Sequence, residues 1–376
     1  MSEFTAGPAG RIERVRTLMV ERGYDAIVVR DEANLRWLTG VKGVFDYTFE
    51  FPHAAFITSD QCLFHTDSRY LNSFEENTTA GSPWVYDMDE GTIPGWVAGK
   101  IAANKCRVCA VEDDMQINFY QGIQRGLEDR SVACMLPLMH DDIRKMRAIK
   151  DAEEIELMRH AQSITDAAFQ HMLGFIKPGM TEKQVRNELE NYMFANGADS
   201  LAFGSIVASG PNTANPHAVP SDRVIEKGDF VLMDYGAGYC DYRSDMTRTV
   251  VMGDPTQEQL DLYALVRRTH EECVAAIHPG VEGNDIFKLS KKIIGDAGYG
   301  DYYNHGLGHG VGIDIHELPN FNRSKNIIEV GSVITMEPGV YLPGVGGVRL
   351  EDYGVVTENG YEPFTKTPHD LHVIDC

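Results

Sequence analysis

The stretch FVLMDYGAGYCDYRSDMTRTV, Phe230 to Val250, decides how the rest of the chain is read. It opens as an apolar run, Val231-Leu232-Met233, that ends in Asp234. Gly236, Ala237 and Gly238 follow, and then a second run holding Asp245. The pattern predicts a β-hairpin that turns at the glycines and carries an acid inward on each strand. Buried carboxylates are costly unless something cationic offsets them. The reading therefore hinges on what lies opposite Asp234 and Asp245.

An internal repeat supplies the surroundings. IKPGMTEKQVRNELENYMFANGA, Ile176 to Ala198, lines up without gaps on IHPGVEGNDIFKLSKKIIGDAGY, Ile277 to Tyr299. Each copy reads as a Pro-Gly turn followed by a helix. Gly228 to Ala237 (GDFVLMDYGA) lines up on Gly331 to Val340 (GSVITMEPGV), and Arg243 and Asp245 match Arg349 and Glu351. Three similarities in the same order indicate a duplicated α+β unit. Asp234 then has its counterpart in Glu337, and Asp245 in Glu351. If the halves pack about a pseudo-twofold axis, four carboxylates converge. They cannot all ionise in a dry site without compensation. Arg243 and Arg349 supply two positive charges, whereas two divalent cations supply four.

The segment HGLGHGVGIDIHELP, His305 to Pro319, brings three histidines. Glycines at 306, 308, 310 and 312 argue against a helix, so this is not a helical H-E-x-x-H zinc motif. A Gly-rich strand allows close approach of backbone or substrate. His309 is the natural imidazole to complete an oxygen-rich site. The spacing sets His316 on the opposite strand face unless a bulge intervenes. His217 lies in the Pro- and Asn-rich loop Gly210 to Pro220, where functional groups often sit. Structural and functional roles remain open for His217, His305 and His316.

The rest of the chain sets the frame. At 376 residues it is long enough for two domains. A net charge of −22 disfavours nucleic acid or an anionic membrane as partner. No apolar run approaches the roughly 20 residues that cross a bilayer. The amino terminus lacks a signal-peptide core, so a cytoplasmic protein is expected. Seven scattered cysteines suit a reducing compartment. The lone pair Cys106 and Cys109 reads as core rather than as a zinc or redox site.

Residues 1–140 read as a small α/β domain. It has a helix over Arg11 to Gly23 and strands at Asp25 to Arg30, Ala54 to Thr58, Cys62 to Thr66 and Arg107 to Val111, with a further candidate at Val132 to Leu136. The charge run from Asp141 predicts a solvated connector over 141–150. The second domain, 151–376, starts with a helix whose apolar stripe runs from Ile155 through Met158, Ala161, Ile164, Ala168 and Met172 to Phe175.

The acids and His309, in the segments MDYGAGYCDYRSDMTRT, HGLGHGVGIDIHELP, MEPGVY and VRLEDYG, resemble the metallopeptidases of the "pita-bread" fold, which include prolidase and aminopeptidase P. The likeness spans about 150 to 376. The amino-terminal part, with NLRWLTG and HTDSRY, is similar to the smaller domain of prolidase and creatinase, which methionine aminopeptidases usually lack. The short step from Glu337 to Glu351 looks like prolidase rather than aminopeptidase P. Creatinase lacks the metal ligands that are present here.

The resemblance implies an α/β amino-terminal domain followed by an α+β pita-bread catalytic domain with a two-metal site. Asp234 would bind one metal, Asp245 and Glu351 would bridge both, and His309 and Glu337 would complete the set. Four carboxylates and one imidazole suit Mn²⁺, with Co²⁺, Zn²⁺ and Fe²⁺ as alternatives. The implied activity is hydrolysis of an Xaa-Pro bond in a small proline-containing peptide, most simply a dipeptide, by metal-activated hydroxide. Glu337 would accept the proton, His316 would stabilise the oxyanion and His217 would hold the substrate. Arg349 would orient Asp245 or Glu351, and His305 would lie near the substrate carboxylate or proline pocket. A homodimer is also implied. The aromatic and acidic stretch Gly43 to His53 (GVFDYTFEFPH) departs from the family pattern. Relatives that keep all five ligands leave a lyase or amidohydrolase acting on a small solute as the alternative.

Overall fold

The computed structural model describes residues 7–44, 52–78, 80–88, 91–321 and 326–376. Most of the unusual stretch Gly43 to His53 lies outside them. Contacts divide the chain into two compact units, Met1–Arg147 and Ala148–Cys376.

The first unit is a mixed five-stranded sheet in the order β4-β3-β2-β1-β5. Its strands are β1 (Ala26–Val29), β2 (Ala54–Thr58), β3 (Cys62–His65), β4 (Trp84–Asp87) and β5 (Cys109–Val111). Its helices are α1 (Gly7–Arg22), α2 (Glu32–Thr39), α3 (Leu71–Asn77), α4 (Ile93–Ala103) and α5 (Ile117–Asp129). The Val132 to Leu136 candidate does not form a strand; Met135 makes a single parallel bridge to Val108. Cys106 and Cys109 are packed into the core with Trp96, Ile101 and Ile123.

The charge run is the first correction. Residues 141–150 are not a solvated connector, because Asp142–Ala148 forms helix α6 and three charges of the run are buried: Asp142, Arg147 and Lys150. Each has a partner that makes burial tolerable. Arg147 Nη1 donates to Asn34 Oδ1 at 2.7 Å, Arg22 pairs with Asp142 at 3.2 Å, and Lys150 pairs with Glu317 at 3.1 Å.

The second unit carries the repeat in its architecture. Helix α7 (Ala152–Phe175) starts at a capping box between Asp151 and Glu154 and buries the predicted stripe from Met158 to Met172, with Ile155 and Phe175 half-buried. It is followed by α8 (Glu182–Ala195), the short strand β6 (Ser200–Leu201), β7 (Ile206–Ser209), β8 (Phe230–Tyr235), β9 (Ala237–Tyr239), β10 (Tyr242–Arg243) and β11 (Met246–Met252). The second half begins with α9 (Gln257–Ala275) and α10 (Gly283–Asp296), and α10 matches α8 end for end at the repeat offset. Then come β12 (His309–Gly310), β13 (Glu317–Asn320), β14 (Val333–Met336), β15 (Gly339–Leu342), β16 (Gly346–Arg349), β17 (Asp352–Thr357), β18 (Gly360–Pro363) and β19 (Val373–Ile374).

The two main sheets run β19-β11-β8-β7 and β13-β12-β14-β17-β18. The trios β7-β8-β11 and β12-β14-β17 are equivalent. One face of the first sheet packs on α7 and α8 through Met172, Leu189, Met193, Val207, Met233 and Met246. The second packs on α9 and α10 through Cys273, Ile286, Ile334, Met336 and Val356. The sheets meet where Thr247 bridges Glu351, whose N–H donates to the Thr247 carbonyl at 3.1 Å.

The opening hairpin is real but turns elsewhere. The tip is Cys240-Asp241, both at positive φ (47° and 72°), between the paired residues Tyr239 and Tyr242. Gly236 serves a different need: a Cβ there would stand 1.9 Å from the Ser244 carbonyl oxygen, so only glycine lets the ribbon bend past that point. Of the four acids, Asp234 lies within a strand. Asp245, Glu337 and Glu351 lie at strand ends, adjoining β11, β14 and β17.

Candidate metal centre

The ends of β8, β11, β14 and β17 deliver the acids to one place, and β12 adds His309. Ligand atoms of Asp245, His309 and Glu351 lie within 4.8 Å of one another. His309 Nε2 is 3.6 Å from Asp245 Oδ2 and 3.7 Å from Glu337 Oε1. His309 Nδ1 is 3.0 Å from the Gly310 carbonyl oxygen, which makes it the protonated nitrogen and leaves the Nε2 lone pair facing the acids.

The glycines around His309 answer to close packing. A Cβ on Gly308 would stand 2.3 Å from the Thr335 carbonyl oxygen, and one on Gly310 2.2 Å from that of Leu318. These contacts press β12 between β13 and β14 and aim His309 at the acids.

Asp234 is held from one side. Arg349 Nη2 donates to Asp234 Oδ2 at 2.5 Å, while Asp234 Oδ1 is buried with no hydrogen-bond partner among the described residues. Arg349, expected at Asp245 or Glu351, pairs directly with Asp234 instead. The edge of β16 lies against β8 and brings the guanidinium there first. It reaches Glu351 through Thr247: Arg349 Nε donates to Thr247 Oγ1 at 3.0 Å, and that hydroxyl donates to Glu351 Oε2 at 2.7 Å. Arg243, the repeat counterpart of Arg349, does not act on the acids. Its Nε donates to the Ile313 carbonyl at 2.7 Å and its backbone N–H to that of Gly312, which ties down the loop between His309 and His316.

The histidines gather as well. His316 stacks edge-on against His309 with ring centroids 4.3 Å apart, and it is exposed. The register slips between His309 and Gly310, and the chain bends through 312–315, so strict alternation does not apply and His316 returns to the same side. His217 is exposed; burial first, with His217 among the lesser causes, lowers the pKa of both His305 and His316. His305 Nδ1 stands 4.0 Å from Glu337 Oε2.

Tyr341 and Thr247 escaped the sequence reading. The Tyr341 hydroxyl accepts from Arg349 Nη1 at 2.8 Å and lies 2.9 Å from His305 Nε2. With His305 Nδ1 bonded to the Gly306 carbonyl, the tyrosine donates to Nε2, and Arg349, Tyr341 and His305 form one chain of hydrogen bonds. Its position four residues beyond Glu337 in MEPGVY was the available signal.

The electrostatics are those of a cation site. Burial first, then the charges of Asp234 and Glu337, raise the Asp245 pKa well above the carboxylate range. Burial and Asp245 do the same to Glu351. Burial pushes Glu337 up to about 8 against the pull of Arg349. Burial lowers His309 to about 4 and His305 to about 3, so both are neutral at pH 7. Among the described residues, four carboxylates stand against one buried guanidinium, one carboxylate oxygen has no donor, and an imidazole lone pair faces them. This donor set fits divalent cations of the hard-to-borderline class.

The chain is similar to known proteins over most of its length. Residues 156–358 match metallopeptidase family M24, and residues 11–149 match the creatinase/prolidase N-terminal domain. An uncharacterized peptidase of Bacillus subtilis is 37% identical over 97% of this chain and 100% of its own. The Xaa-Pro dipeptidase of Pyrococcus furiosus is 43% identical over 61% of this chain and 67% of its own. The solved structure of an Xaa-Pro dipeptidase from Bacillus anthracis superposes with a TM-score of 0.89, at 36% identity, covering 98% of this chain and 100% of that one. Among the described residues no helix is long and apolar enough to cross a membrane. The chain belongs to metallopeptidase family M24, with the pita-bread catalytic fold behind a creatinase/prolidase amino-terminal domain, and is a metallopeptidase.

Proposed function

We propose that this protein is an Xaa-Pro dipeptidase whose centre holds two divalent cations, Mn²⁺ first among them. The observation that carries the proposal is the convergence of Asp245, His309 and Glu351 beside an Asp234 oxygen with no donor among the described residues. The relatives named Xaa-Pro dipeptidase support the substrate class. Asp234, Asp245, His309, Glu337 and Glu351 would hold the cations, and the excess of carboxylates over imidazole supports Mn²⁺. Bound there, the cations supply Lewis acidity, acidifying a water and polarising a carbonyl oxygen.

The chain's own residues do the rest. Glu337 accepts the proton of the attacking water at its carboxylate and passes it to the leaving proline nitrogen. His316, its pKa lowered by partial desolvation and by His217, donates a hydrogen bond to the carbonyl oxygen as charge develops on it. His217, exposed on its loop, positions the peptide. Arg349, Tyr341 and His305 form a hydrogen-bonded chain beside the His217 loop, with His305 toward the proline end. The family resemblance supports a homodimer, which light scattering on the purified protein tests.

The experiment is a substrate panel after chelation and Mn²⁺ restoration: Xaa-Pro dipeptides, longer Xaa-Pro peptides and small zwitterionic solutes. Turnover of Xaa-Pro dipeptides ahead of longer peptides is expected. No turnover of any proline peptide overturns the proposal, and turnover of a zwitterion alone assigns the lyase or amidohydrolase alternative.

A further inference from the structure

A second group of side chains able to hold a metal ion lies apart from the first. Consecutive residues of an extended chain point to opposite faces. Glu351 faces the centre described above, so Asp352 turns its carboxylate away from it. There it meets His270 from α9 and His369 from the carboxy-terminal segment, and one ligand atom of each lies within 4.8 Å of the others.

His270 distinguishes this group from a simple hydrogen-bonded cluster. It is 2% exposed, and neither ring nitrogen has a hydrogen-bond partner among the described residues. An imidazole carries a donor and an acceptor, and leaving both unmet in the interior is unfavourable. Burial lowers its pKa to about 4, so a lone pair is available at neutral pH. Its Nε2 stands 3.6 Å from Asp352 Oδ2, close to the separation of two ligands on one tetrahedral ion, roughly 3.3 Å for bonds near 2 Å.

His369 Nε2 lies 2.5 Å from the same oxygen, at hydrogen-bond length. Its side chain is 25% exposed and has room to withdraw by the fraction of an ångström that shared ligation requires. Arg248 does not block the site. Its Nη2 takes the other oxygen, Asp352 Oδ1, at 2.6 Å and leaves Oδ2 for a cation. Asp234 is arranged the same way at the first centre, with Arg349 on one oxygen and the other without a donor.

We propose that His270, Asp352 and His369 form a separate transition-metal site of the Zn²⁺ class, with water completing the tetrahedron. Two imidazoles and one carboxylate are a softer set than the carboxylate-rich centre and favour zinc over Mn²⁺ or Mg²⁺. An ion there ties α9 and the carboxy-terminal segment to the back of the strand next to Glu351. It is a holding site, and it stands whether or not the peptide substrate is as proposed.

The test is zinc stoichiometry on the full chain, stripped with chelator and re-titrated by equilibrium dialysis and elemental analysis. His369→Ala alters a partly exposed side chain and is expected to remove one tightly bound zinc per chain, weakening that ion at least 100-fold. A second background, Asp245→Asn with His309→Ala, disables the first centre. It is expected to keep one zinc, to show tetrahedral absorption bands with Co²⁺, and to lose both on addition of His369→Ala. Equal zinc counts in the parent and His369→Ala proteins overturn the proposal and leave Asp352 as the hub of a hydrogen-bond cluster. So does a folded background variant that binds none. Should that background not fold, the comparison of the parent with His369→Ala decides.

Discussion

Arg349 donates to Asp234 at 2.5 Å from within the protein interior, and the same guanidinium reaches Tyr341 and, through Thr247, Glu351. One cation thus sets two candidate ligands on opposite halves of the repeat. Arg349→Ala is expected to lower kcat/KM by about 10- to 100-fold, the usual cost of losing a group that orients metal ligands. Arg349→Lys keeps the charge but cannot serve these partners together, and its activity should stay well below the parent's. Steady-state kinetics at saturating Mn²⁺ check both variants, and parental activity in Arg349→Lys would show that charge alone suffices.

Tyr341 links Arg349 to His305. Tyr341→Phe removes one hydroxyl and leaves the ring packing. A hydrogen bond of about 1 to 1.5 kcal/mol corresponds to roughly a tenfold fall in kcat/KM. If His305 positions the substrate, the loss appears mainly in KM. A pure kcat effect would move the hydroxyl's role to the reaction itself.

Glu337→Ala is expected to abolish turnover while far-UV circular dichroism stays native. The residue is the assigned proton acceptor, and its side chain is 19% exposed rather than part of a packed core. Substantial activity in a folded variant would refute that role.

The metal-free protein should be sensitive to alkali. Glu337 is raised from 4.5 to about 8, and Asp245 and Glu351 are raised as well. A carboxyl whose folded pKa lies above its unfolded value favours the folded state most below the unfolded pKa. That advantage is lost as pH climbs through the folded value. The melting temperature of the chelated protein should therefore fall as pH rises from about 4.5 to about 8. Metal must displace these protons, so adding Mn²⁺ at pH 7 should release them and reverse the loss. Calorimetry in buffers of different ionisation heat counts the protons, and a count of zero sinks this reading.

Lys150 and Glu317 form a buried pair, 1% and 5% exposed, at the foot of the loop that carries His316. Lys150→Met removes the buried ammonium that pairs with Glu317 at 3.1 Å and should cost about 3 to 5 kcal/mol in urea denaturation. Neutralising both, as Lys150→Met with Glu317→Gln, should recover much of that. A double variant no better than the single would mean the two residues do not act as a pair.

Much of the site was legible because two kinds of information are linear. The acids and His309 occur in order within segments whose repeat is visible, and the matched helices over 182–195 and 283–296 follow from the Pro-Gly turns that precede them. The apolar stripe from Met158 to Met172 is a local consequence of helical period. Where the sequence reading failed, the missing information was spatial. Glycine signals a turn, so the sequence places the hairpin turn at Gly236-Ala237-Gly238. Whether a glycine turns the chain or lets another backbone pass depends on what lies beside it, here the Ser244 carbonyl. The charge run at 141–150 looked solvated because its partners Asn34 and Glu317 are far away in sequence.

By itself, then, the sequence determined the duplicated unit, the candidate ligands and the kind of cation they suit, since residue type and order carry that chemistry. The tertiary structure alone decided which groups act together. It set Arg349 on Asp234, joined Tyr341 to His305, and swung His316 back beside His309 through a slipped register. The physical reason is that a ligand set needs only donor atoms, which are written in the chain. Hydrogen bonds need direction and distance, which exist only once strands from both halves of the repeat have packed edge to edge.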